Sequence, residues 1–241
     1  MSAAVVLTKI LLNKEIAKGV FRMELELPAN YPKPEPGQFV NIYLNDTSHL
    51  LPRPISICDW EPRLLTLVYA VVGVGTKMMS EYNDKLRIST PLGYGSFSKD
   101  TPALIVGGGL GVPPMLYLAK SLPEANVVLG FRSETFLSEE FPHPVKIATD
   151  DGSTGVKGTV IDVLQQSDIA TGTKIYACGP KPMLKALYEF AVTNNLAIEV
   201  SLEERMGCGY GACVGCSCMT IKGNRKVCEY GPVFDGSEVV W

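Results

Sequence analysis

A chain of 241 residues, 46% hydrophobic and 20% charged, has room for one large or two modest cores in an ordinary soluble composition. A formal net charge of −3 offers no basic excess for nucleic acid, and the longest apolar run, around LLTLVYAVVGVG, is too short to cross a bilayer. No basic stretch precedes the apolar part of MSAAVVLTKILLNKE, so a cytoplasmic protein with reduced thiols is expected.

Residues 1–99 read as β-structure. In FRMELEL, Phe21, Met23, Leu25 and Leu27 alternate with Arg22, Glu24 and Glu26, the period of a half-buried strand. QFVNIYL and LLTLVYAVV read as further strands between turns such as PKPEPG, which predicts a small barrel or sandwich. RPIS, Arg53 to Ser56, starts another strand-like run. Its guanidinium suits a pyrophosphate and its serine a flavin ring, although Arg-Pro also serves as a plain turn and strand start. GVGT at 73–76 reads as a phosphate-facing loop or, more simply, a hairpin turn.

Between 100 and 203 the pattern changes. ALIV runs into GGGLG and then PPMLYLAKSL, a strand, a turn and a helix with proline in its first turn. NVVLGF, VKIAT and KIYAC read as buried parallel strands, with TVIDVLQQS and PMLKALYEFAVTN as helices, so a doubly wound α/β domain is predicted. GGGLGVPP can set a pyrophosphate on a helix N-terminus, but Val112 stands where the dinucleotide fingerprint has its third glycine, and a generic βα turn reads equally well. Cys178 in ACGPKPM follows a strand, either beside a nicotinamide or as a packed small residue.

Residues 204–241 hold most of the cysteines and too little apolar sequence for a core of their own. Cys208, Cys213 and Cys216 are spaced C-x4-C-x2-C, and Cys228 supplies a distant fourth thiol, the plant-type [2Fe–2S] pattern. Glycines at 207, 209, 211 and 215 suit a loop wrapped tightly round a cluster. A structural zinc more often shows C-x2-C pairs, and no histidine lies near for Rieske ligation. Cys218 is read as a non-ligand lining the site. The ending FDGSEVVW is read as a last strand closing the segment, and the short interval from Cys216 to Cys228 calls for a tight hairpin.

RPxS, the GxGT loop, PLGYGSF, GGGLGVPP, CGPKPM and a C-terminal cluster, in that order, resemble the ferredoxin-reductase-like flavoproteins across nearly the whole chain. RPISICDW, ATDDGSTGVKG, ACGPKPMLKAL, LEERMGCGYGACVGC and VCEYGPVF further resemble the electron-transfer subunits of NAD-dependent (class B) dihydroorotate dehydrogenases. The resemblance implies a β-barrel holding FAD, an α/β domain binding NAD(H), and a small [2Fe–2S] segment. By motif it implies FAD contacts from Arg53, Pro54, Ile55, Ser56, Val68, Tyr69, Ala70, Gly75 and Thr76. It implies dinucleotide contacts from Gly107, Gly108, Gly109, Gly111, Cys178, Gly179 and Pro180, and cluster ligation by Cys208, Cys213, Cys216 and Cys228. GVGTKMM departs from the acidic–threonine form commoner in that family. Arg132 and Ser133 suit a 2′-phosphate, but Asp150 and Asp151 disfavour one, so NADH is expected rather than NADPH.

The implied activity is that of an oxidoreductase subunit in pyrimidine biosynthesis. It would pass electrons from an FMN-bearing catalytic subunit through [2Fe–2S] and FAD to NAD+, in a heterotetramer with two of each subunit. No side chain is expected to act as a catalytic acid or base. The alternatives are the flavin/iron–sulfur subunit of a hydrogenase or NADH–ferredoxin oxidoreductase, and, in another class, a zinc-stapled interaction module without redox chemistry.

Overall fold

The computed structural model describes residues 4–46 and 48–241. Six strands close a barrel: β1 (Val5–Ala17), β2 (Val20–Glu26), β3 (Phe39–Tyr43), β4 (Arg53–Glu61), β5 (Leu64–Ala70) and β6 (Lys85–Ser89), in the order β1-β2-β5-β4-β3-β6. β1 pairs antiparallel with both β2 and β6, which closes the sheet on itself and leaves no free edge. The alternation read in FRMELEL is real: Met23, Leu25 and Leu27 are buried in the barrel core while the charged residues between them are half-buried. The GVGT stretch, read as a hairpin turn, instead opens a short helix, α1 (Val74–Ser80). The Thr76 hydroxyl takes the N–H groups of Val72 and Gly73, at 2.9 and 3.2 Å, and this turns the chain into that helix.

The second unit is a sheet built on β7 (Ala103–Gly108), β8 (Asn126–Phe131), β9 (Val145–Thr149), β10 (Val156–Lys157), β11 (Lys174–Cys178) and β12 (Ala197–Ser201). All six run parallel, and α2 (Val112–Lys120), α3 (Val160–Gln165) and α4 (Lys181–Thr193) connect them. The order β10-β9-β8-β7-β11-β12 reverses direction between β7 and β11, the place where open α/β sheets bind ligands beyond their strand ends. Every residue of β7 is buried, as its central place requires. α2 also packs on β4 of the barrel, and the Tyr117 hydroxyl donates to the Pro34 carbonyl at 2.7 Å, which joins the two units.

The rest of the chain adds a tight hairpin, β13 (Ser217–Thr220) and β14 (Gly223–Lys226), a one-turn helix α5 (Val227–Tyr230), and β15 (Val233–Asp235). The ending FDGSEVVW divides: Val239 bridges antiparallel to Thr220 and so closes on the hairpin as expected, whereas β15 does not. It pairs antiparallel with β12 and becomes the seventh strand of the large sheet. The reason is apolar area: Cys216, Cys218, Val227, Cys228, Phe234 and Val239 share one buried cluster with residues of the sheet and α4, so the segment borrows a core. No helix among the described residues is long and apolar enough to cross a membrane.

Candidate functional site

The first cleft, of about 280 Å³, opens on the side of the barrel. Arg53, Pro54, Ile55 and Ser56 from the start of β4, Val68, Tyr69 and Ala70 from the end of β5, and Thr76 of α1 all line it. Tyr69 is fixed by donation to Asn13 Oδ1 at 2.9 Å and by stacking on Phe21 with ring centroids 5.8 Å apart. Burial raises its phenol to about 12, so it stays neutral. Gly75 is not in the wall. It lies under the Arg53 side chain, where a Cβ would stand 2.3 Å from both Nε and Nη2 of the guanidinium. This glycine therefore makes room for an arginine.

Sequence reading missed the opposite wall. Leu110, at the turn after β7, and the run Ser201 to Glu204 with Met206 face the same cleft. The only available signal was the place of LEERM directly before the first clustered cysteine.

A second cleft, of about 480 Å³, lies at the switch point of the sheet. Gly108, Gly109 and Pro180 line it, with Arg132, Asp150, Thr159 and Met183. Gly107, Gly111, Cys178 and Gly179 lie beneath instead. A Cβ on Gly111 would stand 2.1 Å from the Cys178 carbonyl oxygen, so that glycine permits the chain after β7 to approach the end of β11. Cys178 is 1% exposed, in register with Gly107 on one side and Ser201 on the other, and burial drives its thiol far up. It is a neutral packed group there.

The four clustered cysteines come together in two pairs. Cys216 Sγ and Cys228 Sγ are 3.2 Å apart. Cys208 Sγ accepts from the Cys213 N–H at 3.4 Å, Cys228 Sγ from the Gly211 N–H at 3.2 Å, and Cys216 Sγ from the Cys228 N–H at 3.5 Å. Burial works to raise the Cys208 thiol, but the N–H groups of Tyr210 and Cys213, the Cys213 side chain and the Ala212 N–H outweigh it and hold it near 7. Burial and the adjoining Cys216 side chain push the Cys228 thiol up to about 12. A loop of N–H donors aimed at paired sulfurs suits a group that binds two thiolates on each of two irons. Cys218, 6% exposed on β13, packs into the shared core.

A barrel with a side cleft, a switch-point cleft in an α/β sheet and a loop of paired thiols define a ferredoxin-reductase-like flavoprotein with an iron–sulfur segment. Residues 203–240 match the family described as the iron–sulfur cluster binding domain of dihydroorotate dehydrogenase B. The electron transfer subunit of dihydroorotate dehydrogenase B (NAD(+)) from Caldanaerobacter subterraneus subsp. tengcongensis is 41% identical, over 97% of each chain. The subunit of the same name from Fusobacterium nucleatum subsp. nucleatum is 40% identical, over 94% of this chain and 95% of its own. Among solved structures, an NADH-dependent reduced ferredoxin–NADP oxidoreductase studied for flavin-based electron bifurcation superposes with a TM-score of 0.87 at 28% identity, over 98% of this chain and 90% of its own. The chain belongs to the family of electron transfer subunits of dihydroorotate dehydrogenase B (NAD(+)).

Proposed function

We propose that the chain carries electrons from a dihydroorotate-oxidising partner subunit to NAD+, with FAD in the barrel cleft, NAD(H) in the switch-point cleft and a [2Fe–2S] cluster on Cys208, Cys213, Cys216 and Cys228. One observation carries this reading. Ser201 to Glu204 and Met206 wall the barrel cleft and lie just before Cys208, so flavin and cluster sites are consecutive along one stretch of backbone. Labour divides as FAD barrel 1–99, NAD-binding unit 100–203 and cluster segment 204–241.

When bound, FAD supplies the exchange between the two electrons of a hydride and the single electrons of a cluster. The protein's own groups do the placing. Arg53, steadied by donation to the Leu51 carbonyl, presents its guanidinium to the pyrophosphate, and Thr76 holds the turn beside it. Ser56 and the β5 backbone at Val68–Ala70 take the flavin ring. Gly108, Gly109 and Pro180 leave the second cleft open to the dinucleotide, and Asp150 in its wall favours a bare ribose over a 2′-phosphate. N–H groups of Gly211, Cys213 and Cys228 share the negative charge of the sulfurs.

Around the cluster loop Tyr210, Val214, Met219, Ile221 and Tyr230 are exposed apolar side chains, Val214 to 78%. A face of that kind supports a partner docking over the cluster. The partner we assign is an FMN-containing catalytic subunit, two of each chain assembling in the cytoplasm for pyrimidine biosynthesis. The likeness to a ferredoxin–NADP oxidoreductase supports a second reading, in which the same electron path serves another partner.

Anaerobic purification of the tagged chain from its host, with an assay for orotate-dependent NADH oxidation, separates the two. Activity with a co-eluting FMN protein is the expected result. A brown, flavin-bearing eluate that oxidises NADH with artificial acceptors and ignores orotate would remove the assigned partner, and a colourless eluate would remove the redox reading altogether.

A further inference from the structure

β3 has two faces with different duties. Val40 and Ile42 point into the barrel core, whereas Phe39 points outward into the buried cluster that also holds Cys216 and Cys228. Phe39 is in register with Ser56 and lines the flavin cleft. Asn41 alternates with the core residues and lies on that same outward face, opposite Pro54. It is 0% exposed.

Asn41 makes one side-chain hydrogen bond, and that bond leaves the barrel. Nδ2 donates to the Cys208 carbonyl oxygen at 2.8 Å across 167 residues of sequence. Oδ1 receives no hydrogen bond among the described residues. The backbone N–H of Asn41 is held separately by Ser89 Oγ at 2.9 Å. Gly209, at φ +80°, lets the loop come this close, since a Cβ there would stand 2.6 Å from Nδ2 and Oδ1. Burying a primary amide with its oxygen unpartnered is costlier than burying an aliphatic side chain of that size. Packing alone would be served better by a leucine.

We propose that Asn41 is a positioning residue that fixes the Cys208 end of the cluster loop against the flavin-bearing barrel, and so sets the alignment of the two redox centres. One strand then touches both sites: Phe39 in the flavin cleft wall and Asn41 on the backbone of the first ligand. The proposal rests on the functional reading above, because it presumes that the two sites hold flavin and cluster.

The test uses the anaerobically purified full chain as wild type, Asn41→Leu and Asn41→Asp. NADH is mixed in a stopped-flow instrument, flavin and cluster reduction are followed at separate wavelengths, and the reduced cluster is examined by EPR. Iron and flavin contents and the flavin step are expected to match wild type. Cluster reduction is expected to slow about tenfold in both variants, with shifted g-values, the scale of losing a hydrogen bond that orients a metal ligand. Unchanged rates and spectra in both variants would overturn the proposal. Slowing in Asn41→Asp alone would also overturn it, since added charge rather than the lost donor would be responsible. Loss of iron from both would make Asn41 a folding residue of the loop, again against the proposal. Wild type without flavin or iron would instead defeat the functional reading itself.

Discussion

The flavin cleft and the cluster loop lie side by side but are made in opposite ways. The cleft is walled by the ends of β4 and β5, whose positions are set by a closed hydrogen-bonded ladder over a packed core. Much of the cluster loop has neither helix nor strand, and it turns through Gly209 and Gly211 at φ +80° and +85°. Its fixed points are a few polar ties: Asn41 to the Cys208 carbonyl, Lys226 Nζ to the Gly211 carbonyl at 2.6 Å, and the N–H groups on the sulfurs. One site is preorganised by the fold. The other completes its structure with the group it holds.

Removing a proposed ligand breaks that comparison at its widest point. Cys216→Ser deletes a thiol that is 1% exposed and paired with Cys228. The expected outcome is complete loss of the cluster and of electron transfer to the partner, with FAD and NADH–dye activity retained. Iron assay and the visible spectrum check it. Loss of flavin as well would mean that the cleft is not independent of the loop.

Gly75→Ala attacks the other side. Its Cβ would collide with the Arg53 guanidinium and turn it from the cleft. Losing one charge-assisted contact costs about 1.5–3 kcal/mol, so FAD affinity is expected to fall roughly 10- to 100-fold. Iron content should not change. A titration of the deflavinated protein with FAD measures the first, and a colorimetric assay the second.

A smaller effect is expected on the exposed face. Val214→Asp puts a charge on a side chain that is 78% exposed beside the cluster, where it would meet the desolvated part of an interface. A loss of about tenfold in partner affinity, or ~1.4 kcal/mol, is expected with both cofactors intact. Analytical ultracentrifugation of the reconstituted complex reads it directly.

What the sequence showed and what it hid divide along the same line. That the thiols gather was visible in the spacing of Cys208, Cys213 and Cys216, because a tight loop brings its side chains together by local separation. The strand through Phe21–Leu27 was visible because side-chain alternation is local too. α1 was hidden: seven residues opening on GVGT carry too little period to outweigh a turn. β15 was hidden because its partner β12 lies far back in the chain, and nothing in FDG names the sheet it joins. Gly75, Leu110 and Asn41 have roles that exist only across long sequence separations, under Arg53, in the flavin wall and on Cys208.

The smallest expected effect tests how the two folded units are held together. Lys174, at the start of β11, reaches Glu199 Oε1 at 2.7 Å, Asp100 Oδ2 at 3.0 Å and Ser98 Oγ at 2.9 Å, and thereby ties the strip of chain leaving the barrel to the sheet. The Tyr176 hydroxyl accepts from the Asp100 N–H of that strip at 2.8 Å. Burial works to lower the Lys174 ammonium, but Glu199 and Asp100 outweigh it and raise it to about 12. A pKa raised by folding stabilises the native state below the unfolded value of about 10.4, and that contribution fades as pH climbs through the folded value. Lys174→Met should therefore cost about 0.5–1 kcal/mol at pH 8, the upper worth of a pair that solvent still screens. The gap between variant and wild type should close as pH rises from about 10.4 to 12, while iron and flavin contents at neutral pH stay at wild-type levels. Urea unfolding at a series of pH values measures it. A gap that stays constant would assign the loss to packing of the lysine stem rather than to its charge, and the junction would then be held by apolar contact between α2 and β4 instead of by this ion cluster.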